Sequence, residues 1–419
     1  MISFFVLSTL IGYYLLDSLA KILNLRCLKT RIPEEFKDVY DEYRYRRSQD
    51  YTEAKTRFEL LHSTCSLTLL LSFWFLGGFE WLDRLARQID VSQTIRGLIY
   101  LGMLGAAREI VALPFEAYHT YVIEQRFGFN RTELKTFVLD RLKEWLLSGI
   151  LLSVFSFIVF GLFNSFGAKA WIVAWGCTAV LSLLLVYVAP TLILPFFFKF
   201  RPLPEGTLRS QVTALCVGQR FPVRELMVID GSRRSSKANA FFTGFGSSKR
   251  IALYDTLVNN HPLPELLAVL AHEIGHFKRN HIAQHFIFGQ LSLLLVFFAA
   301  SLCVDRPEIF AAFGVTNLSI YVGLTLFLIV IKPAAILVGV AANYWSRLHE
   351  FEADRFAAEA MGDPDPLIQA LKRLSKDSLS NLTPHPLLVA LHSTHPSVLA
   401  RVLALKKIKT TPAVCGPAA

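Results

Sequence analysis

The chain has 419 residues, 53% of them hydrophobic and 18% charged, with a mean hydropathy of +0.42. Those values exclude an ordinary soluble protein and indicate an integral membrane protein, because the apolar residues, 34 Phe among them, run in long stretches separated by charged segments. The net charge of +10 does not indicate a nucleic-acid partner, since no basic stretch carries the interleaved aromatics or module signature such binding needs.

Seven segments are long and apolar enough to span about 30 Å of hydrocarbon at about 1.5 Å per residue. They lie near residues 2–22, 61–82, 97–117, 146–165, 171–197, 282–303 and 318–345. The first lacks a basic flank and a small-residue cleavage site, and is expected to stay as an uncleaved helix. With the N-terminus outside, the loops 23–60 and 118–145 lie inside, and the first is crowded with Arg26, Lys29, Arg31, Arg44, Arg46 and Arg47. The positive-inside rule favours this orientation. Cys27, Cys65, Cys177, Cys216, Cys303 and Cys415 form no CxxC pair and are expected to be free thiols. Cys415 stands five residues from the end instead of four, so CGPAA is not read as a prenylation signal, and the tail shows no retention signal.

The expected domain organisation is a five-helix bundle over 1–197, a soluble segment over 198–281, helices six and seven over 282–345, and a C-terminal segment over 346–419. The span count puts both soluble stretches on the cytoplasmic side, where they can form one unit. Within the first, LMVID (226–230), ANAFFTGF (238–245) and RIALYD (250–255) read as short strands, with Gly244, Gly246 and Ser247 supplying turns.

A helical pattern follows, PELLAVLAHEIGHFKRNH, with Pro264 in its first turn and Glu265 favourable to the dipole. His272 and His276 are i and i+4, about 40° apart on one face, close enough to share a tetrahedral metal, with Glu273 beside them. This is the HExxH arrangement, in which zinc polarises a scissile carbonyl and the Glu takes a proton from water. Alone, HEIGH can also arise by chance as two helix histidines making surface hydrogen bonds, so a third ligand is required. His281 and His285 are set aside as structural, because continuing the helix rotates them about 140° and 180° from His276. The metzincin continuation fails at Arg279 and Ile282.

A carboxylate donor stands in NYWSRLHEFEADRFA, where Glu350 and Asp354 are i and i+4 on a second helix. Glu350 can be the third ligand, and Asp354 can accept the free ring N–H of a ligating histidine. By itself the segment also reads as a solvated acidic face with Glu352 and Glu359.

EQRFGFN at 124–130, LPFFFKFRPL at 194–203, ANAF at 238–241, HEIGH at 272–276, the stretch from Ser346 to Ala357 and HPSVLAR at 395–401 together resemble the CAAX prenyl protease type 1 family. The resemblance implies a mainly α integral membrane protein, with seven helices enclosing a chamber and a cytoplasmic gluzincin-like zinc domain with a small β-sheet capping it. It implies one Zn2+ per chain and endoproteolysis near the C-terminus of a prenylated Cys-a-a-X substrate, releasing the last three residues. By position, Asn239 and Ala240 would pair with the extended substrate backbone, His395 would stabilise the oxyanion, and Arg401 would order the segment presenting His395.

Asp17, Arg108, Glu109, Glu116 and Lys332 fall within spans, where exposure to lipid is costly, so they are expected either to pair in a packed bundle or to line a wet chamber. The expected partners are a peptide or protein substrate, prenylated or otherwise membrane-associated, and membrane lipid; the chain is expected to be monomeric. The runner-up function is a membrane quality-control zinc protease without prenyl specificity. The expected location is the cell inner membrane in a bacterium or the endoplasmic reticulum membrane in a eukaryote.

Overall fold

Most of the chain is helical, and its long apolar helices run through interior glycines such as Gly12 and Gly149. The structure, a computed structural model, describes residues 1–29, 31–243 and 249–410. After α1 (Ile2–Arg26), much of the expected loop 23–60 is helical, because α2 runs from Glu42 to Phe75. Asp41 caps α2 by accepting from the Arg44 N–H, and the pairs Glu53–Arg57 and Lys55–Glu59 follow its i,i+4 spacing. The expected 61–82 span ends early because Gly77 takes a left-handed conformation (φ 75°) and turns the chain into α3 (Gly78–Arg87).

The third span is α4 (Gln93–Tyr118), which contains Pro114 and widens into a π turn over His119–Glu124. Next come α5 (Leu134–Phe166) and α6 (Ala170–Val188), the latter continuing through a second π turn at Pro190 into α7 (Leu194–Phe197). A soluble unit then opens with β1 (Phe200–Pro202), α8 (Thr207–Gly218) and β2 (Glu225–Ile229). It continues through β3 (Ala240–Thr243), β4 (Arg250–Tyr254), α9 (Asp255–Asn260) and α10 (Leu263–Lys278). The chain re-enters the bundle as α11 (His281–Cys303), turns through α12 (Pro307–Ala312) and returns as α13 (Ile320–Val330) and α14 (Lys332–Met361). It closes with α15 (Asp365–Asp377), α16 (Pro386–His392) and α17 (Val398–Thr410).

By length and composition, six helices among the described residues can cross a membrane, and α13 with α14, bent by 54°, makes a seventh if the pair is one span. The expected 318–345 span is thus broken, at the point where Pro333 has no N–H to continue the ladder. Beyond the break α14 runs unbroken across 345/346, so the last span and the segment bearing Glu350 share one helix.

An aromatic core closes one end of the bundle: Trp74, Phe79, Phe310, Phe313 and Tyr321 are buried together. The Trp74 indole donates to the Ala312 carbonyl (3.1 Å), and Tyr321 donates to buried Asp83 (2.7 Å). Here α13 passes so close to the end of α11 that a Cβ on Gly323 would sit 1.9 Å from the Val304 carbonyl oxygen. Gly323→Ala should therefore cost about 1–3 kcal/mol of stability through overpacking. The check is the thermal unfolding midpoint in detergent, and an unchanged midpoint would mean that the two helices separate freely.

The charges within the spans divide. Asp17 is buried against Lys21 (2.8 Å) and His392 (2.7 Å), and Glu116 pairs with Arg141. Glu109 accepts from the Trp145 indole (3.0 Å), and the Lys332 ammonium lies over the Tyr13 ring. Arg108, by contrast, leaves 82% of its side chain exposed.

The sheet has strand order β1-β2-β4-β3, with β2 and β4 parallel and β3 antiparallel on the edge. Three strands were expected; β1 joins them by pairing Phe200 with Ile229 and Pro202 with Met227. The end of the expected 238–245 strand and its turn residues Gly244, Gly246 and Ser247 lie outside the described residues, as does Cys415. Cys27, Cys65, Cys177, Cys216 and Cys303 are free thiols. One face of the sheet packs Ile251 and Leu253 against Leu266, Leu270 and Ile274 of α10. A second core joins Phe36, Tyr40 and Tyr45 to Ala268, Ala271, Ala357, Leu367 and Leu405, docking the arginine-rich N-terminal segment on the soluble unit.

Candidate metal centre

The HEIGH helix is fixed before any metal is considered. Pro264 sits in the first turn of α10, and buried Glu265 accepts from Arg373 of α15 (2.9 and 3.1 Å) and lies 3.1 Å from His261 Nδ1. Leu266, Leu270 and Ile274 bury the opposite face against the sheet. Gly275, inside the motif, lets α14 approach: a Cβ there would lie 3.1 Å from the Phe356 Cβ and 3.2 Å from the Ala353 Cα. The small residue thereby brings the carboxylates of α14 onto the histidine face.

Three side chains then converge. His272 Nε2 lies 3.2 Å from His276 Nε2, Glu350 Oε1 lies 3.2 Å from His276 Nε2, and Glu350 Oε2 lies 3.6 Å from His272 Nε2. Asp354 stands 2.9 Å from His272 Nδ1, and a carboxylate can only accept, so Nδ1 carries the proton and Nε2 presents a lone pair. Glu350 Oε2 is buried and, apart from its ion pair with Arg401 Nη1 at 3.1 Å, makes no hydrogen bond. Lone pairs this close repel unless a cation lies between them, so the donor set fits a metal ion.

Arg401 of α17 holds the second layer. Its Nε and Nη2 donate to both oxygens of Asp354 (2.8 and 2.6 Å), and Nη1 lies 3.1 Å from Glu350 Oε2. The expectation that Arg401 orders the HPSVLAR segment is therefore incomplete, since its guanidinium grips the two α14 carboxylates directly. His395 stands at the rim with 63% of its side chain exposed, its Nε2 3.2 Å from Glu350 Oε1. Burial pushes the Glu273 carboxyl above the ordinary carboxylate range. Ala240 opens the edge strand, and the Asn239 carbonyl accepts from the Tyr254 N–H (3.0 Å). Ala238 and Ala240 pack against the cluster containing Leu270 and Ile274, which lays this edge along α10.

His281 is not among the three converging donors, but the rotation expected of it does not occur. His281 is not rotated away from His276, because α10 ends at Lys278 and Asn280 (φ 57°) reverses the chain before α11 begins. His281 Nδ1 comes within 3.0 Å of His276 Nδ1. A helix-wheel argument holds only while the helix continues, and the Asn of KRNH was the available stop signal.

A family model described as "CAAX prenyl protease N-terminal, five membrane helices" matches residues 21–199, and "Peptidase family M48" matches 202–409. The "Probable CAAX prenyl protease 1" of Schizosaccharomyces pombe is 34% identical over 392 residues, covering 90% of this chain and 82% of the relative. The chain belongs to the M48 family of CAAX prenyl protease type. A "CAAX prenyl protease 1 homolog" of Dictyostelium discoideum is also 34% identical, over 96% of this chain and 94% of the relative. The crystal structure of S. mikatae Ste24p superimposes with a TM-score of 0.92 at 29% identity, covering 97% of this chain and 99% of that one. This M48 member is a multi-pass membrane metalloprotease.

Proposed function

We propose that this M48 metalloprotease is a zinc endopeptidase in which His272, His276 and Glu350 hold one Zn2+, and that it cleaves near the C-terminus of prenylated Cys-a-a-X substrates. The observation that carries the metal assignment is the spacing of the donors. A tetrahedral ion with bonds of about 2.0–2.1 Å needs donors about 3.3 Å apart. The atoms of His272, His276 and Glu350 are 3.2, 3.2 and 3.6 Å apart. Bound zinc would supply a Lewis acid that polarises the scissile carbonyl and makes water more acidic.

The protein groups do the rest. Glu273 takes the proton of the attacking water and passes it to the leaving amine. His395, at the open rim, donates to the developing oxyanion. The edge position of β3 supports binding of an extended peptide as an added strand beside Asn239 and Ala240. Asp354 fixes the His272 tautomer, and Arg401 neutralises the paired carboxylates.

The metal site is cytoplasmic in this reading. The arginine-rich segment after α1 docks on the soluble unit through Phe36, Tyr40 and Tyr45, so the two share a side, and positive charge favours the cytoplasmic one. In this reading the helices enclose a wet chamber, which is supported by Arg108, whose side chain is 82% exposed within a span. The protein acts as a monomer with membrane lipid around it, in the inner membrane of a bacterium or the endoplasmic reticulum of a eukaryote. The CAAX names of its relatives favour prenylated substrates over general quality control.

The test combines zinc quantification of the detergent-purified protein with cleavage of matched prenylated and unprenylated peptides. About one zinc per chain and preference for the prenylated peptide are expected. Equal cleavage of both would favour the quality-control activity, and absence of zinc would remove the metal assignment.

A further inference from the structure

The two histidines of HEIGH are anchored differently. His272 has a carboxylate of its own, Asp354, 2.9 Å from Nδ1. His276 has none; its Nδ1 meets another imidazole, that of His281, at 3.0 Å. His281 is buried, with 1% of its side chain exposed, and its other nitrogen, Nε2, lies 3.1 Å from Glu352 Oε2. The ring of His349 stacks on His281 with centroids 3.9 Å apart and planes within 3°, and His349 Nδ1 is itself 3.1 Å from His285 Nε2. The plane of His281 is therefore fixed by packing, and its two ends point at two defined partners.

Hydrogen-bond chemistry sets the protons along this line. A carboxylate has only acceptors, so Glu352 requires the His281 proton on Nε2. Neutral His281 then offers a lone pair at Nδ1, which His276 can satisfy only by donating its own Nδ1–H. That leaves His276 Nε2 unprotonated, on the side where His272 Nε2 and Glu350 Oε1 converge.

We propose that His281, oriented by Glu352, is the positioning residue for His276: the line Glu352–His281–His276 holds His276 in the tautomer that can ligate metal. The proposal rests on the reading of His276 as a ligand. Glu350 and Glu352 lie two residues apart on α14, so one helix delivers both a ligand and the far end of the line that prepares another. The Asn280 turn serves this arrangement, because only a reversal at that point can bring residue 281 back onto residue 276.

The experiment measures zinc affinity of the full-length protein in detergent by competition with a chromophoric chelator, for the parent and for His276→Ala, His281→Ala, His281→Phe and His281→Asn. The Asn Oδ1 can stand where the imidazole Nδ1 stood and accept the His276 hydrogen bond, whereas Phe fills the ring volume against His349 without an acceptor. Loss of a group that orients a metal-bound histidine typically weakens metal binding about 10–100-fold. That loss is expected for both Ala and Phe, with Asn restoring affinity to near the parent. Phe binding zinc as tightly as the parent, or Asn as weakly as Ala, would overturn the proposal, the first by showing that packing suffices. A parent without zinc, or His276→Ala with unchanged affinity, would overturn the underlying ligand assignment instead.

Discussion

Glu273→Gln is expected to keep its zinc and lose about 10²–10⁴-fold in turnover, the usual range for removing a positioned general base. Gln has the size and hydrogen-bonding reach of Glu but cannot take a proton, so the substitution isolates the proton transfer from metal binding. The side chain stands beside His272 and His276, and burial raises its carboxyl above the ordinary range, which suits it to take a proton. It is not one of the three converging donors, so metal content should stay near that of the parent. The readout is cleavage of a farnesylated peptide alongside zinc content of the same preparation. Parent-like cleavage would mean that another group activates the water.

Glu350→Ala should lose both zinc and activity while the fold survives. The reasoning follows the ion pairs. Removing Glu350 takes away one of three donors, yet Arg401 remains held by both oxygens of Asp354, so no buried charge is left alone. Even an outer partner of a ligand is worth about 10–100-fold in metal affinity, and a ligand itself should be worth more than about 100-fold. Metal analysis after dialysis against a weak chelator should find the variant stripped and the parent loaded. Unchanged zinc content would remove Glu350 from the ligand set, and a collapsed thermal midpoint would show that its pairing with Arg401 and His395 carries the fold.

Much of this site was legible because its chemistry is local. His272, Glu273 and His276 lie within one helical turn and a half, and Glu350 and Asp354 repeat the same spacing, so helix periodicity alone puts each set on one face. Residues joined across the fold were harder to read. Arg401 was expected to order its own segment, yet it bonds to Asp354, 47 residues away, through a fork that only the packing of α17 on α14 brings to bear. His281 was excluded by a rotation that assumed an unbroken helix, and Glu352 was grouped with a solvated face. Gly275 carries no local signal of its role, although its missing Cβ sets how near α14 can come.

The spans show the same division. Hydropathy located the six unbroken span-capable helices and the bent pair α13 and α14, because a span must present about 20 apolar residues to lipid regardless of its neighbours. It could not find where they end: α2 begins at Glu42, far into a charged stretch, since a helix once started continues through any sequence without a breaker. The break at Pro333 divides what hydropathy reads as one span.

By itself the sequence determined the membrane class, the approximate number of spans and the HExxH motif with its candidate carboxylates, because hydropathy and helical period are properties of short stretches of chain. Only the tertiary structure decided that α10 and α14 meet across Gly275, that Arg401 holds both carboxylates, and that His281 comes back against His276. Those contacts depend on where helices stop and how closely they pack, which is settled by the burial of surfaces distant in sequence.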